Sequence, residues 1–302
     1  MEEQNEFEVI IIGGSYAGLS AAMALGRSLR KVLIIDSGKP CNRQTPNSHN
    51  FLTRDGENPA NLNAIAKAQV LNYPTIKFLN GKAVNASRTA NGFSIAIENG
   101  TIFKSKKLII ASGVKDILPA IKGFAQCWGI SVLHCPYCHG YEVRGKETGI
   151  IANGEMGFEL VKLISNWTKK LTLFTNGPVN LDQESIAKLS KKNININDQE
   201  IEEIVHDNGY VRQLKFKDGS VHKIDAIYAR GTFEQNTEVI TDLNIELTEQ
   251  GYIVVDNFKQ TSTLGVYAAG DCTTMMRAIS DSVYSGSMAG VFINKQLIED
   301  SF

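Results

Sequence analysis

Five cysteines and five histidines are spread over 302 residues, and one hexapeptide gathers two of each: His134-Cys135-Pro136-Tyr137-Cys138-His139. Two thiols separated by two residues can close a small disulfide ring, with one sulfur exposed to attack a partner and the other shielded. Such pairing lowers one thiol's pKa from about 8.5 to roughly 7. Two other chemistries share these letters. C-x-x-C-H is the attachment string of c-type haem, which needs an exported protein, and residues 1–8 (Met-Glu-Glu-Gln-Asn-Glu-Phe-Glu) are acidic where an export signal is basic. A structural zinc needs four ligands in a tetrahedron; two adjacent His–Cys pairs in six residues do not surround one ion, and no second C-x-x-C exists. A redox pair, Cys135 and Cys138, is the reading that remains, with no metal. An odd, sparse cysteine set in a chain this long is not a disulfide framework. His139 suits general acid–base work because imidazole titrates near neutrality; His134 divides evenly between that role and a structural one. Cys127 and Cys272 read as small core residues.

The elements that must carry this hexapeptide follow a repeated pattern of apolar strand, Gly-containing turn, helix and second strand. The first copy runs through the strand at 8–12, the turn Gly13–Gly18, a helix over about 17–29 and the strand at 31–35. The second runs through 148–151, the turn at 152–157, a helix to about Trp167 and the strand at 170–174. Unbroken Val/Ile/Leu runs joined through helices are the mark of buried parallel strands. The expected fold is therefore α/β with two Rossmann-like dinucleotide-binding domains. Asn58-Pro59 starts a helix to about Asn72. Turn-punctuated strands at 75–104 and 200–229 read as a β-meander inserted in each module. Linkers near 116–121 and 231–236 nest the second domain in the first: residues 1–118 and 234–302 form one domain, and 119–233 the other, which carries the cysteine pair.

In Gly13-Gly14-Ser15-Tyr16-Ala17-Gly18, Gly13 makes the tight turn and Gly18 lets the helix pack on the strand. The helix N-terminus then offers N–H groups to a pyrophosphate. Asp36 ends the next strand, where a carboxylate accepts from ribose hydroxyls. Composition agrees with a globular enzyme: 43% hydrophobic, 21% charged, 26 Gly against 7 Pro, which excludes disordered and collagen-like chains. A net charge of −1 gives no electrostatic case for nucleic acid or an anionic membrane. A cytoplasmic protein with a small-molecule or protein substrate is expected.

The segment Gly265–Asp271, ending Ala-Gly-Asp before a helix, taken with Ala111-Ser112-Gly113, resembles the two-dinucleotide-binding flavoproteins and implies FAD. Over nearly its full length the chain resembles the low-molecular-weight thioredoxin reductases. The matching pieces are the Gly13–Gly18 turn, the cysteine pair before the second turn, Asn236-Thr237-Glu238, Gly251–Asp256, Thr261-Ser262 and Gly265–Asp271. Cys135–Glu142 and Ser48-His49-Asn50-Phe51-Leu52 are nearer a sub-branch that includes the gliotoxin- and holomycin-type dithiol oxidases. The larger disulfide reductases, whose cysteines lie four apart in the first domain, are excluded, since Pro46 follows Cys41 there.

The resemblance implies FAD contacts from Gly13, Gly14, Ser15, Ala17, Gly18 and Asp36. It adds Arg43, His49, Asn50 and Val84, then Ala111 and Gly113, and finally Gly270, Asp271, Arg277 and Ala278. It implies that Cys135 attacks the partner and Cys138 faces the flavin, in a homodimer. NAD(P)H would bind at Gly154 and Gly157, but the second turn departs from the family. Ala152 stands where a glycine is usual, awkward if φ is positive there, and Thr175-Asn176-Gly177-Pro178 offers no Arg or Lys before Lys188 for a 2′-phosphate. Three functions are open: a reductase carrying electrons from NAD(P)H through FAD to a thioredoxin-like protein or small disulfide; a dithiol oxidase running the other way to O2 or another acceptor; and a flavin-binding sensor whose cysteine pair is structural.

Overall fold

The computed structural model describes residues 5–302; residues 1–4, part of the acidic stretch read against an export signal, lie outside them. β1 (Glu6–Ile12) is buried over its last four residues, and Gly13, at φ +108°, turns the chain into α1 (Tyr16–Arg27). β2 (Val32–Asp36) returns parallel to β1, with Val9 opposite Val32. α2 (Pro59–Leu71) opens on the proline expected at a first turn. β3 (Ile76–Asn80) pairs parallel with β2, because a helical crossover brings a strand back in the same direction. The meander expected from residue 75 therefore begins only at β4 (Ala83–Thr89) and continues through β5 (Gly92–Ile97) into β6 (Ile102–Ile110). β6 lies inside one mixed sheet: it runs parallel to β1 from Lys104 to Ile110, and over Ile102–Ser105 it also pairs antiparallel with β5.

β7 (Val114–Ile117) leads to α3 (Phe124–Cys127), the two-residue β8 (Val132–Leu133), the one-turn α4 (Pro136–His139), and then β9 (Thr148–Ile151), α5 (Gly154–Ile164) and β10 (Leu171–Phe174). α6 (Gln183–Lys191) and β11 (Asn195–Asn197) follow, then an antiparallel sheet of β12 (Ile201–Asp207), β13 (Tyr210–Phe216) and β14 (Val221–Lys223), and β15 (Ala226–Ala229). The parallel order is β11-β10-β9-β15-β8. After β16 (Thr232–Gln235) and α7 (Val239–Asp242), β17 (Val266–Ala268) joins β6 in parallel, and α8 (Ile279–Glu299) ends the chain's regular structure.

Two compact units result. One holds the residues up to Arg43, Ala60–Lys115 and Phe233–Phe302; the other holds Gln44–Pro59 and Asp116–Thr232. In the first, strand alternation sends Val9 and Ile11 into a core with α1 and α8, and Ile10 and Ile12 into a core with β5 and α7. Each fully buried Ile or Val of this kind contributes about 1.5–3 kcal/mol. α1 and α8 approach at small residues: a Cβ on Gly286 would lie 2.1 Å from Ala17 O, and one on Gly290 2.7 Å from Ala21 O. In the second unit, Ile227 and Ala229 face the antiparallel sheet while Tyr228 faces the α5 side. Cys127 and Cys272 are buried, as expected of core residues, and burial pushes the Cys272 thiol up to about 12. Among the described residues no helix is long and apolar enough to cross a membrane.

Candidate active site

Pro136 at the first position of α4 fixes a φ suited to helix and leaves Cys135 as the extended N-cap residue. The turn closes through Cys138 N–H and His139 N–H to Cys135 O (3.3 and 3.2 Å) and Gly140 N–H to Pro136 O (2.7 Å). Gly140 is required here: a Cβ would lie 2.4 Å from Pro136 O and 2.7 Å from Trp167 Nε1. Trp167 also meets the exposed Tyr137 ring edge-on at 5.5 Å. Both sulfurs stand as thiols. The hydrogen bond with Cys138 is the first cause that brings the Cys135 thiol down to about 7, against burial; the Cys138 and Tyr137 backbone N–H groups and the Arg230 guanidinium add to it. One thiolate is thus available near neutral pH.

The loop 44–59 is tied into the same unit by Gln44, whose Nε2 donates to Ala125 O (3.1 Å) and Trp128 O (3.4 Å). Ser48 and Glu57 bridge across it, and Asn50, at φ +60°, donates its N–H to Asp55 Oδ1 (2.7 Å). His49 therefore lies between two carboxylates, Nδ1 3.7 Å from Asp55 Oδ1 and Nε2 3.7 Å from Glu142 Oε1. Its ring meets that of His139 edge-on, centroids 6.4 Å apart. Burial first, and the charge of His49 second, hold His139 below the usual imidazole range, with Glu142 opposing. His139 is accordingly a neutral proton acceptor at pH 7, next in sequence to Cys138. His134 packs beside Trp128, centroids 5.9 Å apart, a structural placement.

The sequence reading missed Tyr228, Arg230 and the roles of Glu142 and Asp55. Tyr228 is fully buried, its hydroxyl has no hydrogen-bond partner among the described residues, and burial followed by Cys135, Cys138 and Glu142 pushes it upward. A hydroxyl-bearing residue in the otherwise apolar Ala226–Ala229 strand was the available signal. The partnership of Glu142 with His49 depends on a contact 93 residues apart in sequence and left no such signal.

In the other unit the ends of β1, β2, β6 and β17 bring most of the expected dinucleotide residues together. A Cβ on Gly13 would lie 2.1 Å from Ala111 O, and one on Gly18 1.9 Å from Gly13 O. Both positions exclude side chains, so α1 starts tight against β1 and β6. Ser15 is the N-cap of α1 but makes no side-chain cap, and Ala278 at the start of α8 has none to make. Both helices leave first-turn N–H groups open to a ligand. Asp36 accepts from Gly14 N–H (3.0 Å) and Gly38 N–H (3.2 Å), pinning the turn. Gly270, at φ +82°, brings Asp271 to the start of α1, where a Cβ on Gly270 would lie 2.9 Å from Ala17 Cβ. Burial pushes the Asp271 carboxyl up, opposed by Arg277 (3.6 Å), the Cys41 thiol (3.7 Å) and Ser282 (3.4 Å). Gly113 adopts φ +63° with open space where a Cβ would stand. This cradle of close glycines, two uncapped helix starts and a buried carboxylate fits FAD. Arg43 donates to Pro40 O (3.2 Å), and Val84 lies half-buried in β4.

The second dinucleotide turn is built differently. The positive φ expected at Ala152 falls on Gly154 (+62°), so Ala152 carries no strain of that kind; the chain has moved the left-handed residue two positions on. Asn153 is the N-cap of α5, and a Cβ on Gly157 would lie 3.3 Å from Ala152 O. Lys188, the first cation after β10, is paired with Glu184 at 2.6 Å.

Residues 7–289 match the model of the family described as pyridine nucleotide-disulphide oxidoreductase. The chain is 32% identical to thioredoxin reductase tcpT of Claviceps purpurea, covering 99% of this chain and 97% of that one. It is 30% identical to thioredoxin reductase aclD of Aspergillus oryzae, covering 97% of each. Among solved structures, the oxidoreductase from Agrobacterium tumefaciens superposes with a TM-score of 0.90 at 35% identity, over 97% of this chain and 99% of that one.

Proposed function

The chain belongs to the pyridine nucleotide-disulphide oxidoreductase family, in its thioredoxin reductase-like part, and from that membership we propose an FAD-dependent thiol–disulfide exchange worked by Cys135 and Cys138. The observation that carries this reading is the Cys135 thiol brought to about 7 by Cys138, beside a neutral His139. Membership implies FAD and a pyridine nucleotide. When bound, FAD supplies a reversible two-electron acceptor; Gly13, Gly14, Gly18, Asp36 and Asp271 would hold it.

In the reductase direction the Cys135 thiolate attacks one sulfur of a substrate disulfide. That S–S bond breaks, a mixed disulfide forms, and the released sulfur takes from solvent the proton that Cys135 gave up on ionising. Cys138 passes its proton to His139 and attacks Cys135 Sγ, closing the Cys135–Cys138 disulfide and releasing the second substrate sulfur, which takes that proton from His139. The substrate gains two electrons and two protons, and the pair loses them. Run backwards, the same steps oxidise a substrate dithiol, because exchange is reversible. A thioredoxin-like protein or a small disulfide or dithiol is the partner. The working form is read, on the same likeness, as a cytoplasmic homodimer, checked by sedimentation of the purified protein.

The test follows the pair itself. Oxidised protein mixed with a small dithiol without oxygen should gain two alkylatable thiols at Cys135 and Cys138, and Cys138→Ser should abolish turnover. A Cys138→Ser protein with full turnover would overturn the reading and leave a flavin-binding sensor with a structural pair.

A further inference from the structure

At the second dinucleotide turn the start of the helix, where such a turn would receive a pyrophosphate, is capped by the chain's own side chain. Asn153 Oδ1 accepts from Gly154 N–H (2.8 Å), the first helical amide of α5, and from Asn180 N–H (2.9 Å) in the loop after β10. Its Nδ2 donates to Pro178 O (2.8 Å). One amide side chain thus makes three hydrogen bonds and fastens loop 178–180 across the start of the helix. Gly154 packs beneath that loop: a Cβ there would lie 3.5 Å from Asn180 O and 3.6 Å from Asn180 Nδ2. The loop is further stiffened by Thr175 Oγ1 donating to Gly177 O (2.7 Å) and by Gly177 N–H donating to Asp198 O (3.1 Å). Glu155 adds a carboxylate in the first turn of α5, where a phosphate would need positive partial charge. The contrast with α1 and α8, whose starts carry no side-chain cap, lies within one chain.

We propose that Asn153 is a latch that closes this turn to pyridine nucleotides, so that the second module is retained as the carrier of Cys135 and Cys138 and not as a nicotinamide site. The residues present do not fit NAD(P)H. Binding it requires breaking three hydrogen bonds of Asn153, lifting loop 178–180 and placing a phosphate beside Glu155, with Lys188 already engaged by Glu184.

The experiment is calorimetric titration of the flavin-loaded protein with NADPH and with NADH, together with amide hydrogen exchange at Gly154 and Asn180. The wild type should give no saturable binding below about 1 mM, with both amides protected. Asn153→Ala should bind at least about ten-fold more tightly and lose protection at Asn180. Asn153→Ser keeps a hydroxyl that can cap α5 but is too short to reach Asn180 and Pro178; it should show the same release with folding preserved. Micromolar NADPH binding by the wild type, or unchanged affinity in both variants, overturns the latch. Failure of the thiol–disulfide reading would instead appear in the dithiol reaction of the wild-type pair, which these titrations do not use.

Discussion

Replacing Cys138 by Ala removes the first cause that holds the Cys135 thiol at about 7, while leaving burial, which acts in the opposite direction, in place. The Cys135 midpoint should therefore rise toward the ordinary thiol value of about 8.5, a loss of up to about 2 kcal/mol of thiolate stabilisation. At pH 7 the thiolate fraction falls from about one half toward about 3%. Reactivity falls by less than that ratio, because a thiolate of higher pKa is the better nucleophile, with a Brønsted slope of about 0.4–0.5. The midpoint of the pH–rate curve is thus the quantity to measure. The assay is iodoacetamide alkylation of Cys135, followed by peptide mass spectrometry from pH 5 to 10, in a Cys41→Ser background because Cys41 is exposed. A midpoint that stays near 7 in the Cys138→Ala protein would refute the reasoning and transfer the effect to the backbone amides of α4 and to Arg230.

His49→Gln removes the second cause of the low His139 value, so the acid limb of the turnover profile, expected below pH 6.5, should move upward toward it; an unmoved limb counts against His139 as proton acceptor. Asp271→Ala should purify with less flavin and less yellow colour, whereas Cys135→Ser should keep both, since only Asp271 lies in the cradle at the start of α1. Tyr228→Phe deletes a buried hydroxyl that has no partner, so denaturant unfolding should show stability equal to or greater than the wild type; a loss above about 1 kcal/mol would reveal a partner for it. The reduced protein should gain stability as pH rises from 7 toward 8.5, because the folded Cys135 value lies below the unfolded one, and should lose that gain as pH falls through 7.

Much of this architecture was legible in the sequence because its signals are local. Val9–Ile12 and Thr148–Ile151 are short apolar runs ending in a Gly-containing turn, and burial on both faces needs no more than that pattern. Pro136 after Cys135 announced the turn of α4, and Pro59 the start of α2. β3 was harder to read, since Ile76–Asn80 carries exposed Lys77 and Asn80 at a sheet edge and resembles the hairpin strands beside it. Asn153 was visible as a letter, but its role depends on where loop 178–180 folds, which no spacing rule states. The same holds for His49: its neighbours Asp55 and Glu142 meet it only because loop 44–59 packs with residues 116–232.

That loop has a consequence for how the protein could be cut or shuffled. The chain passes between its units four times, at residues 43/44, 59/60, 115/116 and 232/233. A gene fragment covering 116–232 would encode every strand of the parallel sheet β11-β10-β9-β15-β8 and the whole cysteine hexapeptide. It would leave behind His49, Asp55 and the Gln44 anchor. Recombination at the two obvious seams would then transplant the thiols and Glu142 without His49, the charge that lowers the neighbouring imidazole. His139 in such a chimera would titrate closer to an ordinary histidine, so lineages that exchange this module intact must carry the sixteen residues of 44–59 with it.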